Sequence, residues 1–180
     1  MSTPAELRHE LYRQLYFAER SRREQIRSGI AVPVSAIAFS VFAFSALATN
    51  VDLAKWQAAS TLLLMLLALG AAASVLAAIL SLVRVEWLLV FDEPPDLTEL
   101  LRAEEALASA AHGSDPDAAR HLLEAQFRDL LTGGYYIAYR RVFMSNGASS
   151  AYRAWAVRLV VLGLFLLLLA YMVLPVHMAV

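Results

Sequence analysis

Two stretches decide the fold: Thr61-Leu62-Leu63-Leu64-Met65-Leu66-Leu67-Ala68-Leu69 and Leu162-Gly163-Leu164-Phe165-Leu166-Leu167-Leu168-Leu169. Each lies within a longer run free of formal charge. Lys55 and Arg84 enclose 28 such residues, and no Asp, Glu, Lys or Arg follows Arg158. A further 24 uncharged residues separate Arg27 from Asp52. That run is interrupted by Pro33, Ser35, Ser40 and Ser45, but its Val and Ile residues and Phe39, Phe42 and Phe44 keep it apolar. A bilayer core about 30 Å thick takes about 20 apolar helical residues to cross. The sequence therefore predicts three spans, at about 30–48, 57–83 and 159–174.

Composition agrees. The 180 residues are 59% hydrophobic and 17% charged, with a mean hydropathy of +0.56. Soluble domains average about 45–50% apolar and about 25% charged residues. A chain this short lacks the volume to hide the excess in one soluble core, and it is far too apolar for disorder. The absence of cysteine excludes disulfides, thiolate metal sites and cysteine nucleophiles. A net charge of −1 argues against a nucleic-acid partner.

The small net charge conceals a partition. Residues 1–28 carry six Arg, the loop 49–57 carries Lys55 alone, residues 84–158 carry eight Arg, and the tail carries none. With three crossings, fourteen of the fifteen basic residues fall on one side. Cytoplasmic flanks hold such an excess. The expected topology is a cytoplasmic N-terminus, an outer loop at 49–57, a cytoplasmic middle region and an outer C-terminus. Trp56, Trp87 and Trp155 each mark a span edge, and Tyr171 lies near the outer end of the third, as interfacial aromatics do.

The fold class expected is an all-α integral membrane protein. It comprises an amphipathic helix (1–28), a transmembrane hairpin (29–83), a helical cytoplasmic region (84–158), a third span (159–174) and a short outer tail (175–180). Thr3-Pro4-Ala5-Glu6 reads as a capping box with Pro at the first helical position. Leu7, Leu11 and Leu15, with Tyr12 and Tyr16 beside them, form the apolar side of the first helix. Arg20, Arg22, Arg23 and Arg27 would meet anionic headgroups at about 1 kcal/mol per basic residue, or simply fix the topology. Beyond the second span, Asp92-Glu93-Pro94-Pro95 is a stop, Asp96 and Asp115 are caps, and His112-Gly113-Ser114 is a break. Gly133-Gly134 and Asn146-Gly147 read as further helix ends.

Chemistry is sparse. No phosphate-binding Gly-rich loop, nucleophile elbow or His-Glu-x-x-His is present, so no enzyme, cofactor or metal is expected. Asp117 and His121, with His112 and Asp115 nearby, have helical ligand spacing, but a solvated face accounts for them as well. The spans contain no Asp, Glu, Lys or Arg, which disfavours a transporter. They do contain small-residue pairs four apart: Gly70 and Ser74, Ala73 and Ala77, Ala36 and Ser40. Such spacing lets helices approach closely. The obvious use is pairing of the first two spans, with contacts between copies as the alternative. Ser35 and Ser40, with the bend Pro33 permits, offer a polar path in an oligomer. Leu123, Phe127 and Leu130, and the cluster Tyr135, Tyr136 and Tyr139, are candidates for partner contact or for interfacial anchoring.

The layout resembles the SLATT-type and related small multi-span membrane effectors of nucleotide-signalled bacterial anti-phage systems. The matching parts are the charged N-terminal helix Glu6–Arg27, the tight hairpin Ile30–Val83 and the helical region after it. The third span is additional. The resemblance implies an oligomer that breaches the inner membrane when a cytoplasmic sensor or partner protein reports infection. From the residues alone, a non-enzymatic scaffold or accessory subunit of a larger membrane complex is the competing expectation.

Overall fold

The computed structural model describes residues 3–55, 58–88, 97–110 and 116–179. Every regular element among them is helical: α1 Pro4–Ser28, α2 Ala31–Ala48, a 3₁₀ turn Leu53–Lys55, α3 Ala59–Leu88, α4 Leu97–Ala110 and α5 Pro116–Ala179. Three stretches are long and apolar enough to cross a membrane, one each in Pro4–Ala48, Ala59–Leu88 and Arg120–Ala179. Trp56, the 89–96 stop with its Asp96 cap, and the His112-Gly113-Ser114-Asp115 segment lie outside the described residues, as does the side chain of Asp117.

The ends of α1 follow from local chemistry. Glu6 N–H donates to Thr3 Oγ1 at 3.3 Å, and Thr3 N–H donates to Glu6 Oε2 at 2.9 Å. This reciprocal pair satisfies two of the orphan donors at the helix start. α1 and α2 are separated at Gly29-Ile30. Pro33 accounts for the break, because its ring has no N–H to offer the carbonyl of residue 29 and crowds it.

α5 is one 64-residue helix and runs through both Gly133-Gly134 and Asn146-Gly147, where the sequence predicts ends. A helical Gly costs only about 1 kcal/mol relative to Ala, which packing can outweigh. Asn146 is fully buried and uses its carboxamide elsewhere. Its Nδ2 donates to the Glu19 carbonyl at 2.7 Å and to the Glu19 carboxylate at 3.0 Å.

The described chain forms two compact units. The first comprises Met1–Glu24 with Leu89–Gly147. Its small core joins Tyr16, Ala138 and Val142, with Tyr135 and Tyr139 against them. Glu6 pairs with Arg128 at 3.0 Å, and His9 Nδ1 lies 3.3 Å from Thr132 Oγ1. The inward face of α1 is Ala5, His9, Tyr12, Tyr16, Glu19 and Arg23, whereas Leu7 and Leu11 are 60% and 51% exposed. The apolar side read from the sequence is thus split, with Tyr12, Leu15 and Tyr16 turned inward and Leu7 and Leu11 outward. Aromatic area decides it: Tyr16 packs on Tyr135 at 5.9 Å, and Tyr12 on Tyr136 at 5.2 Å.

The second unit comprises Gln25–Leu88 with Ala148–Val180. Its core gathers Ala43 and Leu47 from α2, Leu64 and Ala71 from α3, and Leu167 and Ala170 from α5. Burial recurs every seventh residue. On α3 the buried sets are Leu64, Ala71, Ala78, Val85 and Thr61, Val75, Leu82; on α5 they are Ser149, Ala156, Gly163, Ala170, His177 and Val160, Leu167. With Ser74 also buried, this spacing keeps one side of each helix turned inward along its length. Only 22–28% of each most apolar window is buried. The remainder, including Phe42 and Leu66 at 70% exposure, requires an apolar surrounding.

Candidate functional site

The small residues of the second unit assemble into a seam between α3 and α5. A Cβ placed on Gly163 would lie 3.1 Å from Val75 Cγ2, 3.4 Å from the Ala71 carbonyl and 3.6 Å from Ser74 Cβ. A Cβ on Gly70 would meet Leu166 Cδ1 at 3.3 Å. The Gly70 and Ser74 face, expected from the sequence to pair the first two spans, thus packs on the third. Small side chains there let two backbones approach. α2 joins through Tyr171, whose hydroxyl donates to the Ala43 carbonyl at 2.7 Å.

Four serine hydroxyls within the spans are turned back onto their own helices. Ser35, Ser40, Ser74 and Ser81 donate to the carbonyls of Ala31, Ala36, Gly70 and Ala77 at 2.8–3.0 Å. The single hydrogen of each of these hydroxyls is thereby used within its own helix. Ser35 and Ser40 do not share a face. Five residues rotate a helix by about 140° beyond a full turn, which leaves Ser40 buried with Ala36 half-buried behind it, and Ser35 exposed. Ser35 lies instead on a stripe with Ala31, Ala38, Phe42 and Ser45, all exposed.

The basic residues divide. Arg20, Arg22 and Arg27 are exposed, while Arg23 is 9% exposed and turned into the helix packing. Arg22 pairs with Glu19 at 3.3 Å, and Arg27 with Glu86 at 3.9 Å. The Arg84 guanidinium lies 5.6 Å from the Tyr152 ring centre, and Arg158 lies 5.4 Å from that of Trp155. Arg153 packs on the Gly29 backbone, where any Cβ would overlap its guanidinium. Arg27, Arg84, Arg153 and Arg158, with exposed Trp87 and Trp155, form a cationic-aromatic collar at one end of the second unit.

The candidate partner residues also divide. Tyr135 and Tyr139 are half-buried against Tyr16, and Leu123 and Phe127 are half-buried, whereas Leu130 and Tyr136 remain 43% and 42% exposed. Among the described residues no cluster of three His, Cys, Asp or Glu has the geometry to hold a metal. One polar knot escapes a sequence reading. His177, 1% exposed, bonds Thr61 and the backbone of Asp52. A lone histidine in the last apolar run was its only signal.

No known protein family, curated protein or solved structure matches the chain.

Proposed function

We propose that the protein is an oligomeric effector of the bacterial inner membrane, controlled from the cytoplasm, that disrupts the membrane in anti-phage defence. Its N-terminus and residues 84–158 face the cytoplasm, loop 49–57 and the C-terminus face outward, and the cationic collar rests on lipid headgroups. The observation that carries this reading is the exposed stripe Ala31, Ser35, Ala38, Phe42 and Ser45 on α2, small at every position but Phe42. Internal seams already consume Gly70, Ser74 and Gly163, so a second small-residue surface facing outward suits contact between copies. A polar path would run between copies, along the exposed side of α2 that carries Ser35 and Ser45.

The test is depolarisation. Overproduction in bacteria should collapse the membrane potential reported by a voltage-sensitive dye. Ala38→Leu should abolish the collapse while the protein still reaches the membrane fraction, since position 38 is exposed and leaves the internal seam intact. If purified protein stays monomeric by cross-linking and vesicles retain dye at every protein-to-lipid ratio, the proposal fails.

A second reading, a scaffold within a larger membrane complex, draws on Leu130, Ile137 and Met144. These lie seven residues apart on α5 and are 43%, 53% and 64% exposed. Purification in mild detergent separates the two. A homo-oligomer supports the effector, and a heteromeric complex that leaves vesicles sealed supports the scaffold.

A further inference from the structure

His177 is held in one protonation state by its neighbours. The Thr61 hydroxyl has a single hydrogen and lies 2.7 Å from the Lys55 carbonyl, which can only accept. That hydrogen is therefore directed at Lys55, and the hydroxyl oxygen presents a lone pair to His177 Nδ1 at 3.2 Å. Nδ1 must carry a proton. On the other side, the Asp52 N–H donates to Nε2 at 3.1 Å, so Nε2 must not. The donor and acceptor inventory of the groups admits only the neutral Nδ1–H tautomer. Thr61 is 0% exposed and His177 1%, so water does not substitute for either partner.

This one ring fastens three separate pieces of chain: the turn that follows α2, the start of α3 and the end of α5. A proton added to Nε2 would set two donors against each other at the Asp52 amide. The charged groups available to answer it are few. Asp52 offers its carboxylate, which now accepts the Ala54 N–H at 3.0 Å and shapes the 3₁₀ turn. Lys55 contributes its carbonyl through Thr61 and brings a like charge. α2 leads into Asn50, whose amide is spent on Ala46 and Thr49. α3 has no charged residue before Arg84, and α5 has no Asp, Glu, Lys or Arg after Arg158. The Asp52 carboxylate is the nearest acidic side chain in sequence, and its Oδ1 is already engaged with Ala54.

We propose that His177 is a proton-operated latch. Neutral, it fastens the Asp52–Lys55 turn to the end of α5. Protonated, it sets two donors against each other, releases the Asp52 amide from the end of α5 and loosens the joint between α2 and α3. The latch does not depend on the effector reading, because it requires only the described geometry of the second unit.

The experiment uses the full chain in lipid nanodiscs with ¹⁵N-labelled histidine. Replacements His9→Gln, His112→Gln and His121→Gln leave His177 as the only imidazole. At pH 8 the spectrum should show a protonated Nδ1 and a bare Nε2. Because the chain lacks cysteine, Ala54→Cys accepts a single nitroxide at an exposed position. As pH is lowered from 8 to 5, the mobile fraction of that label should rise in step with the imidazolium signal. In a His177→Gln background it should not change with pH. An Nε2–H tautomer at pH 8 overturns the proposal. So does an imidazolium that forms with the label still immobile, or an equal rise in mobility without His177.

Discussion

Alanine at Gly163 tests the α3–α5 seam at its tightest point. The new methyl would sit 3.1 Å from Val75 Cγ2, against an ordinary carbon–carbon contact of about 3.5–4.0 Å. Val75 is 5% exposed and β-branched, so it has little rotamer freedom with which to yield. The Ala71 carbonyl at 3.4 Å and Ser74 Cβ at 3.6 Å close the other directions. Overpacking of this kind costs about 1–3 kcal/mol, while replacing a helical Gly by Ala returns about 1 kcal/mol. The net expectation is about 0–2 kcal/mol of destabilisation. Gly147 supplies the control, since a Cβ there meets nothing within 4 Å. Gly147→Ala collects only the propensity gain and should stabilise by about 0.5–1 kcal/mol. Subtracting one from the other removes the propensity contribution and leaves the packing cost, about 1–3 kcal/mol. Reversible unfolding of both variants in mixed micelles, read by far-ultraviolet circular dichroism, provides the comparison. If Gly163→Ala proves as stable as Gly147→Ala, the two helices do not approach as described. A destabilising Gly147→Ala would instead refute the continuity of α5, because a helix-ending Gly would resent a side chain.

Three further outcomes are expected. Asn146→Ala should destabilise by about 1–3 kcal/mol in the same unfolding assay, since it removes a bond to the Glu19 carboxylate and a second one to the Glu19 carbonyl; an unchanged midpoint would refute that role. Tyr171→Phe deletes the bond to the Ala43 carbonyl and should cost about 1 kcal/mol, with the α2 amides near Ala43 exchanging hydrogen faster. The Glu6 carboxyl is held below its ordinary value of 4.5, chiefly by the Thr3 N–H and further by Arg128. A depressed carboxylate stabilises the fold above that value and loses its contribution as pH falls through the lower folded value. The Thr3 amide resonance should therefore move with a midpoint below 4.5, and Glu6→Gln should abolish the movement.

The candidate spans were legible because charge-free apolar runs of that length are rare outside a bilayer. The capping box at Thr3 and Glu6 was legible because it lies within four residues. What failed was competition between weak local signals and packing. Gly133-Gly134 and Asn146-Gly147 resemble helix ends, yet the helix continues because Asn146 has a partner in Glu19, far away in sequence. The apolar side of α1 was recognised, but not that Tyr12 and Tyr16 would find aromatic partners on α5 while Leu7 and Leu11 stay exposed. The small residues were recognised and their partner helix was not, since spacing shows that a face can pack without naming what it packs on. The knot at Asp52, Thr61 and His177 draws on three distant positions, none of them unusual alone.

The seam also imposes an order of events on the growing chain. Gly70 leaves the ribosome about 90 residues before Gly163, which at about 5–20 residues per second is roughly 5–20 s. Throughout that interval α3 carries a notch whose filler has not been made. In a bilayer, small side chains in such a notch would offer lipid little to grip, and lipid would be readily displaced when α5 arrives. The last helix therefore acts as the closing piece of biogenesis. Nascent chains arrested before residue 163 should survive as an unsealed hairpin, the form most exposed to membrane proteases and quality control.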